Sequence, residues 1–403
     1  MADNEYDAIV VGARCAGSPT AMLLARQGYR VLLVDRATFP SDTISTHIVH
    51  PQGVAALARW GLLDRVVATG CPPIHTYSFD FGPFTIAGSP GTPDSPVAYC
   101  PRRTVLDPLL VEAAAQSGAE VREGFGVDEV IIEDGRVTGI RGSGKDGPSV
   151  TERARIVVGA DGLRSFVARS VSAEHYNEHE PRLCGYYSYW SGLPYDGRFS
   201  TYIRDDRGFA TAPTNDGLTL IVGGWPYAQL EANKSDIEGN YLRMFEFVPE
   251  FADRLKNAKR ETRVVGTAVP NFFRKPFGTG WALVGDAGYN KDFITAQGIS
   301  DAFRDSELLA TAIDEGLTGA RSFDDAMVDY QTTRDNHVLP MYEFTLQLAA
   351  MEPPPPEFQQ LLAAVHGNQE AMDGFARVNA GVTSPVEFFA EDNVARIFAA
   401  AAR

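Results

Sequence analysis

The sequence predicts an α/β fold in which a parallel sheet flanked by helices is joined to a smaller α+β unit with an antiparallel sheet and to a helical C-terminal region. Residues 8–11 and 31–34 are continuous apolar runs, typical of strands buried on both faces of a parallel sheet. A helical pattern over 18–27 lies between them and completes a strand–helix–strand unit. Residues 183–225 combine aromatic and β-branched side chains with turn signals, which favours the antiparallel sheet.

The length, composition and net charge of the chain indicate a globular protein and exclude some classes of binding partner. With 403 residues, of which 44% are hydrophobic, the chain is long enough for two or three globular domains. A net charge of −16 argues against nucleic-acid binding and against docking on an anionic membrane. The polar, acidic start and the lack of an apolar run of about 18 residues predict a cytoplasmic protein.

Cysteine spacing gives no sign of a metal site. Four cysteines are far apart in the sequence: Cys15, Cys71, Cys100 and Cys184. No pair has the spacing of a metal-binding motif, and low cysteine use is typical of a reducing compartment. We therefore expect neither a metal site nor a disulfide framework.

The remaining patterns complete the predicted fold. Helices are expected at 53–63 and 104–116, a β-meander at 127–132, 136–141 and 150–158, and another buried strand at 281–284. Asp134-Gly135 is a strong two-residue hairpin signal within the meander. From residue 299 the chain is expected to be helical, with interruptions at Pro340 and at the proline run 353–356.

These elements predict a division into three regions. The first is a discontinuous dinucleotide-binding domain of residues 1–70, 101–172 and 276–330. The proline-rich, β-rich stretch 71–100 leaves this domain and joins residues 173–275 in a substrate-binding domain. Residues 331–403 form the helical C-terminal region.

A glycine turn follows the first strand. Its residues are Gly12, Ala13, Arg14, Cys15, Ala16 and Gly17. Gly12 suits a tight turn beneath a diphosphate and Gly17 suits close packing of helix on strand, although Arg14 replaces the usual middle glycine. Asp35 ends the second strand, where an acidic side chain accepts hydrogen bonds from a ribose. Arg36 is either a contact to adenine or phosphate or a solvated surface charge.

Two further short motifs lie far downstream. Gly159-Ala160-Asp161-Gly162 follows the last meander strand, and Gly285-Asp286-Ala287-Gly288 follows the strand at 281–284. Asp286 ends a buried strand, where a carboxylate without a partner is costly. Asp161 either organises its own turn or contributes to cofactor binding.

With these motifs, Arg103-x-x-Leu106, Ser165 and Arg169, residues 5–330 resemble flavoprotein monooxygenases of the para-hydroxybenzoate hydroxylase type. That group also contains flavin-dependent halogenases and geranylgeranyl reductases. The resemblance implies a Rossmann-like FAD-binding domain and one FAD held by three remote segments. It implies that Arg103 approaches the FAD, that the backbone of Val127 meets the adenine, and that Asp286 binds the ribityl chain.

The resemblance also places a helix start beside the flavin. Ala296, Gln297, Gly298 and Ile299 would turn their backbone N–H groups and the positive end of a helix dipole toward the pyrimidine edge. The group usually has proline where Phe293 stands and glycine where Ala296 stands. We therefore expect Phe293 to alter the reacting edge and to narrow or flatten the pocket.

Aromatic residues are the candidates on the substrate side. Residues 186–190 place Tyr187 and Tyr189 on one face of a strand, and Tyr186 and Trp190 on the other. One of these sets would line the cavity, with Phe209 and Trp225 as further candidates; the alternative is that all are core. His47 is a candidate general base for a phenol, a contact to the flavin, or a structural residue. His50, Lys291 and Asp292 are expected near the flavin, and Arg204 and Arg207 either pair with a substrate carboxylate or lie in a surface turn.

The resulting prediction is an FAD-dependent monooxygenase. NADH or NADPH would reduce the FAD, O2 would give a flavin hydroperoxide, and an aromatic or polycyclic molecule would be hydroxylated or epoxidised in a dry cavity. The predicted catalytic residues are His47, Phe293 and Tyr189, and the protein is expected to be a monomer or homodimer. Alternatives are a prenyl-chain reductase, a halogenase (although no Trp-x-Trp-x-Ile-Pro stretch is present) and a flavin-binding regulator or carrier.

Overall fold

The computed structural model describes residues 5–204 and 207–402. The strands are β1 Glu5–Val11, β2 Val31–Asp35, β3 Pro73–Ile74, β4 Thr76–Asp80, β5 Thr85–Gly88, β6 Ala98–Tyr99, β7 Glu120–Glu123, β8 Phe125–Glu133, β9 Arg136–Gly144, β10 Val150–Gly159, β11 His175–His179, β12 Leu183–Ser191, β13 Arg198–Arg204, β14 Arg207–Pro213, β15 Thr219–Pro226, β16 Lys259–Arg260, β17 Val265–Ala268, β18 Asn271–Arg274, β19 Phe277–Gly278, β20 Trp281–Leu283 and β21 Tyr289–Asn290. The helices are α1 Gly17–Arg26, α2 Pro51–Arg59, α3 Leu63–Ala68, α4 Arg103–Gln116, α5 Phe166–Ser170, α6 Leu230–Lys234, α7 Ile237–Arg243, α8 Pro249–Leu255, α9 Gly298–Thr318, α10 Phe323–Ala349, α11 Pro356–Val365, α12 Gln369–Asn379, α13 Pro385–Phe388 and α14 Glu391–Ala401.

The first sheet is parallel around β1. Its strand order is β19-β20-β10-β1-β2-β7, and β1 pairs in parallel with both β2 and β10. Strands β8 and β9 continue from β10 in antiparallel pairing and form the predicted meander. Asp134 and Gly135 between them both have positive φ, as a type I′ hairpin turn requires. The predicted parallel sheet and meander are confirmed.

The second sheet is built mainly from residues 183–226. Its order is β16-β12-β15-β14-β13-β4-β5, and β17 also pairs with β12. Neighbouring strands are antiparallel except β13 and β4, which run parallel. The excursion over 71–101 thus adds β4 and β5 to one edge of this sheet. The predicted domain boundaries remain a prediction, and α10 crosses the one placed between residues 330 and 331.

Strand β12 separates two sets of aromatic side chains. Tyr187 and Tyr189 belong to an apolar cluster that also contains Ala296. Tyr186 and Trp190 point to the opposite face, where they pack against α7, α8 and the turn between them. Phe209 and Trp225 lie on that opposite face too, in the same cluster as Tyr186 and Trp190. Side chains alternate between the two faces along each strand, so the register of β14 and β15 against β12 determines the face on which Phe209 and Trp225 lie. Their role as cavity residues remains a prediction.

The C-terminal region is helical, with one difference from prediction. Helix α10 continues through Pro340, where an interruption was expected. Proline removes one backbone donor, but α10 packs buried side chains on both sides of it, including Tyr330, Arg334, Tyr342 and Thr345. The predicted break at the proline run is present, because α11 begins at Pro356.

Two smaller observations concern the described part of the chain. Its four cysteines are buried, free thiols. In residues 5–204 and 207–402 no helix combines the length and apolarity that crossing a membrane demands.

Candidate active site

The three sequence motifs meet at one edge of the first sheet. Val11 pairs with Gly159, and Gly159 pairs with Leu283, so three neighbouring parallel strands end together. Each strand runs directly into its motif. The carboxyl edge of a parallel sheet is where α/β proteins bind ligands, because the loops diverge there and leave a crevice.

Glycine makes the contact between these motifs possible. A Cβ atom on Gly12 would lie 2.4 Å from the carbonyl oxygen of Ala160, and one on Gly285 would lie 2.7 Å from Cβ of Ala16. Both glycines have positive φ. A Cβ atom on Gly17 would collide with the carbonyl oxygen of Gly12. The first motif therefore touches the second and the third through backbone that tolerates no side chain.

Asp35 holds the first turn in shape. Its carboxylate accepts hydrogen bonds from the backbone N–H groups of Ala13 at 2.7 Å and Ala37 at 2.8 Å. Each carboxylate oxygen retains a lone pair for a further donor such as a ribose hydroxyl. Arg36 beside it is exposed, and Val127 is half-buried on β8. The predicted cofactor roles of these three residues remain predictions.

Asp107 is a buried residue that the sequence reasoning missed. Its carboxylate accepts hydrogen bonds from Nη1 of Arg14 and, at 2.9 Å, from Nε of Arg103. The thiol of Cys15 lies 3.5 Å from the same group, and Arg14 also donates to Ser41 Oγ at 2.7 Å. Asp107 thus joins the glycine turn to α4. Its spacing of four residues from Arg103 on one helix was the available signal.

Asp286 follows β20 at the same edge of the sheet, and its side chain is exposed. Its carboxylate accepts no hydrogen bond from the residues that the structure describes, whereas surrounding protein desolvates it and raises its pKa. Arg103 and Lys291 are near enough to oppose that rise. An open carboxylate beside a guanidinium fits the hydroxyl groups of a ribityl chain.

Asp161 organises its own turn. Its Oδ2 atom accepts hydrogen bonds from the backbone N–H groups of Phe166 at 2.6 Å and Val167 at 3.2 Å, at the start of α5. Ser165 caps the same short helix through Ala168 N–H. The Oδ1 atom of Asp161 is buried and has no partner among the described residues. Asp161 therefore stabilises the turn that leads into α5, and its role in cofactor binding remains a prediction.

The segment before α9 has unusual backbone. Ala296 adopts a left-handed φ of 53°, which explains why glycine is common there in the resembling group. Gly298 begins α9 with nothing within 4 Å of a would-be Cβ atom, and Ile299 is buried. The side chain of Gln297 does not cap its own helix. The first backbone N–H groups of α9 are consequently free of side-chain caps.

Phe293 packs against the second sheet. A Cβ atom on Gly185 of β12 would lie only 2.3 Å from Cζ of Phe293, so the tip of the ring occupies the space left by a strand position without a side chain. Asp292 fixes the same segment, because its carboxylate accepts hydrogen bonds from the N–H groups of Leu183 and Ile294. Phe293, predicted to lie at the flavin edge, therefore contacts the face of β12 that carries Tyr187 and Tyr189.

His47 and Tyr189 form a buried pair. His47 Nε2 lies 2.7 Å from the Tyr189 hydroxyl, and His47 Nδ1 has no partner among the described residues. Burial, followed by the charge of Arg103, lowers the pKa of His47 to about 3. The ring of Tyr187 meets His47 edge-on at 5.7 Å between centroids. The structure brings His47 and Tyr189 together, but encloses both side chains.

The other predicted neighbours have structural partners. His50 is buried between the Tyr77 hydroxyl and the carbonyl of Thr295. Lys291 forms an ion pair with Asp301 in the first turn of α9. Arg204 forms an ion pair with Asp80 at 2.8 Å, and Arg207 stacks on Phe247.

These features define a class: an α/β protein with a dinucleotide crevice at the carboxyl edge of its parallel sheet. The model of the FAD binding domain family matches residues 5–345. The chain belongs to this family and is an FAD-dependent oxidoreductase. The tight glycine contacts and the open Asp286 carboxylate fit FAD.

Proteins that are similar to this chain in sequence or in fold have different activities. The digeranylgeranylglycerophospholipid reductase of Methanocella arvoryzae is 30% identical over 335 residues, covering 77% of this chain and 78% of that protein. The myxobacterial chondrochloren halogenase CndH has a TM-score of 0.80 at 23% identity, with 99% of this chain and 97% of that chain covered. PqsL, a probable FAD-dependent monooxygenase from Pseudomonas aeruginosa, has a TM-score of 0.72 at 20% identity, with 92% and 99% covered. The two structural likenesses show the fold alone.

Proposed function

We propose that the protein is a monooxygenase that uses NADH or NADPH and O2 to hydroxylate or epoxidise an aromatic or polycyclic small molecule. The observation that carries the proposal is the pair of aromatic rings Tyr187 and Tyr189 on β12, on the same face as Gly185, which Phe293 contacts, and in one apolar cluster with Ala296. Flat aromatic rings recognise aromatic substrates by edge and face contacts. We further propose that the protein is cytoplasmic and acts as a monomer or homodimer.

The residues of the chain divide the work of binding and reaction. Arg14, Arg103 and the glycine turn would hold the diphosphate, Asp35 the adenosine ribose and Asp286 the ribityl chain. Bound FAD supplies the electron transfer and oxygen chemistry. Phe293 and Tyr187 would exclude water from the reacting edge. His47 stays neutral at physiological pH and accepts or donates one hydrogen bond to Tyr189, which fixes the orientation of that phenol.

Turnover with a panel of compounds tests the proposal. FAD-loaded protein would be supplied with NADH or NADPH and with phenols, indoles and polycyclic aromatics, while oxygen uptake and products are followed. We expect at least one compound to stimulate oxygen uptake and to gain one oxygen atom. Reduction of the bound FAD by NADH or NADPH without oxygen transfer to any compound would contradict the proposal.

Two tyrosines on one strand provide a matched comparison. Tyr189→Phe removes the hydroxyl that is hydrogen-bonded to His47, on the face of β12 that we propose lines the substrate site. Tyr186→Phe removes a hydroxyl on the opposite face of the same strand. We expect Tyr189→Phe to change kcat or KM by about tenfold, the size of one hydrogen bond of about 1.4 kcal/mol, with little change for Tyr186→Phe. Equal effects of the two substitutions would remove the support for this side of β12 as the substrate side.

Reduction of prenyl double bonds is the second candidate. The 30% identity to a digeranylgeranylglycerophospholipid reductase over most of both chains supports it. An isoprenoid substrate would then be saturated under anaerobic conditions with reduced FAD. Halogenation is the third candidate, and it is tested by adding chloride or bromide to the aerobic assay and looking for halogenated products.

A further inference from the structure

The turn after α12 lies against the segment that starts α9. Gln297 Nε2 donates a hydrogen bond of 2.9 Å to the carbonyl oxygen of Asn379. Gln52 on α2 donates to the carbonyl oxygen of Gly381 in the same turn. Residues 379–381 lie beyond residue 345, where the family match ends.

The hydrogen bond to Asn379 satisfies a carbonyl group at the end of α12. The last carbonyl groups of an α-helix have no partner within the helix. Gly381 has a φ of +73° and ends α12 in the left-handed conformation usual after helices. Two glutamine side chains from distant segments, Gln297 and Gln52, then donate to carbonyl groups of this turn.

The position of α12 is itself fixed by the second sheet. Asp373 accepts a hydrogen bond from the N–H group of Ser89, and Arg377 Nε donates to the carbonyl of Gly91. A Cβ atom on Gly88 would lie 2.4 Å from the carbonyl oxygen of Met372, so strand and helix are in direct backbone contact. These contacts fix the position of α12, and therefore of the turn that follows it, relative to the second sheet.

The hydrogen bond to Asn379 decides where the Gln297 amide points. Gln297 occupies the N-cap position of α9, from which a side-chain oxygen can accept hydrogen bonds from the first N–H groups of its own helix. The side chain is instead held toward α12, and Gly298 and Ile299 keep their N–H groups uncapped. Free N–H groups at a helix start favour negative charge nearby.

We propose that the turn of residues 379–381 is part of the FAD site, with Gly381 and the Asn379 carbonyl acting as positioning groups for Gln297. By holding Gln297 away from the start of α9, the turn leaves the helix N-terminus free to face the pyrimidine edge of the flavin. This inference rests on the proposed placement of the flavin beside residues 296–299, and not on the reaction catalysed.

Two glycines with similar backbone provide the test. A Cβ atom on Gly381 would lie 2.7 Å from Gln297 Oε1, at the end of a flexible side chain that can move aside. Gly367 has a similar φ of +84°, and nothing lies within 4 Å of its would-be Cβ. Gly381→Ala and Gly367→Ala thus share backbone strain, while only Gly381→Ala displaces Gln297.

The readouts are the FAD dissociation constant, the visible spectrum of the bound flavin and the melting temperature of the apoprotein. We expect Gly381→Ala to weaken FAD binding by about tenfold relative to Gly367→Ala, which corresponds to about 1.4 kcal/mol. The two apoproteins should melt alike. Equal FAD affinity and identical flavin spectra in the two variants would overturn the proposal.

A second pair of variants covers the case in which Gly381→Ala does not fold. Gln297→Glu cannot donate to Asn379 and would place a carboxylate over the N–H groups of α9, whereas Gln297→Met removes the donor without adding an acceptor. We expect the flavin midpoint potential to be lower in Gln297→Glu than in Gln297→Met, because negative charge at this edge opposes reduction. Equal potentials in the two variants would overturn the proposal. Both readouts are independent of monooxygenase activity.

Discussion

Gly12 shows how much one residue determines in this protein. Its φ of +104° and the 2.4 Å separation between a would-be Cβ and the Ala160 carbonyl leave no room for a side chain. The same position brings the first glycine turn against the second motif. A substitution here acts on the cofactor crevice and on the packing of β1 against β10 together.

We predict that Gly12→Ala destabilises the protein by about 1–3 kcal/mol and abolishes most FAD binding. The matched control is Gly28→Ala, because Gly28 also has positive φ but nothing lies within 4 Å of its would-be Cβ. FAD content after purification and urea unfolding of both variants provide the measurement. Retention of FAD by Gly12→Ala at the level of Gly28→Ala would contradict the prediction.

His47 is a second residue whose environment has a measurable consequence. Burial lowers its pKa from 6.5 to about 3, so the unfolded chain binds a proton at this residue more readily than the folded chain. The free energy of unfolding therefore falls as the pH drops below about 6.5. At pH 5 the loss from this residue is about 2 kcal/mol, since one pKa unit corresponds to about 1.36 kcal/mol.

We predict that His47→Gln removes this part of the pH dependence. Urea unfolding of wild type and variant at pH 7.5 would give the fixed cost of the substitution, and the same measurement at pH 5 would show a smaller additional loss in the variant, by about 2 kcal/mol. His50, with a pKa lowered to about 4 by burial, remains in both proteins and contributes equally. An unchanged slope between the two pH values would show that His47 is not buried in the neutral form.

At the scale of elements, α10 departs most from the sequence-based expectation. It buries Tyr330, whose hydroxyl donates to the Leu283 carbonyl at 2.9 Å, and Arg334, which contacts the carbonyls of Gly288 and Arg274. Near the end of α10, Oγ1 of Thr345 lies 2.9 Å from Oγ1 of Thr295 in the turn before α9. These partners are remote in sequence, so the helix is held across Pro340 by packing that no local pattern reveals.

We predict that Pro340→Ala stabilises the protein by up to about 3 kcal/mol, because it restores a helix-forming residue inside α10. Pro356→Ala is the control, since Pro356 occupies the first turn of α11, where proline is well tolerated. Thermal unfolding of both variants measures the difference. A lower melting temperature for Pro340→Ala than for wild type would contradict the prediction and show that the proline at this position stabilises the native packing of α10.

Local patterns were sufficient for the elements that carry the motifs. The apolar runs of β1, β2 and β10, the Asp134-Gly135 turn and the glycine motifs are short-range signals with a physical cause. The contact of Asp107 with Arg14 was missed because the two residues are 93 positions apart. The contact of Phe293 with Gly185 was missed for the same reason. Sequence patterns identify the strand that precedes a site, but not the side chains that cross between remote segments.

At the scale of the whole molecule, one ligand is expected to connect segments that are far apart in sequence. The glycine turn, Arg103 and Asp286 surround one crevice, and each belongs to a different segment of the first sheet or its helices. Ligands that bind only the folded state add to the free energy of unfolding in proportion to the logarithm of their concentration. The structure of the crevice therefore predicts a large effect of FAD on the entire fold.

We predict that free FAD at about one hundred times its dissociation constant raises the free energy of unfolding by about 2.7 kcal/mol relative to apoprotein. Flavin mononucleotide, which lacks the adenosine half, should stabilise less at the same concentration, because Asp35 and the Gly12 turn then have no partner. Melting curves at several concentrations of each flavin test this. Equal stabilisation by both flavins would contradict the predicted position of the adenosine at Asp35.

The parallel pairing of strands remote in sequence has a consequence during synthesis. β1 pairs with β10 through Glu5 and Arg153, and β4 pairs with β13 through Thr76 and Arg198. On the ribosome, the edges of β1 and β4 remain open until these distant partners emerge, and long-range parallel pairing is slow. Nascent chains of this protein thus pass through a stage with apolar strand edges exposed, when chaperones are most needed to prevent aggregation.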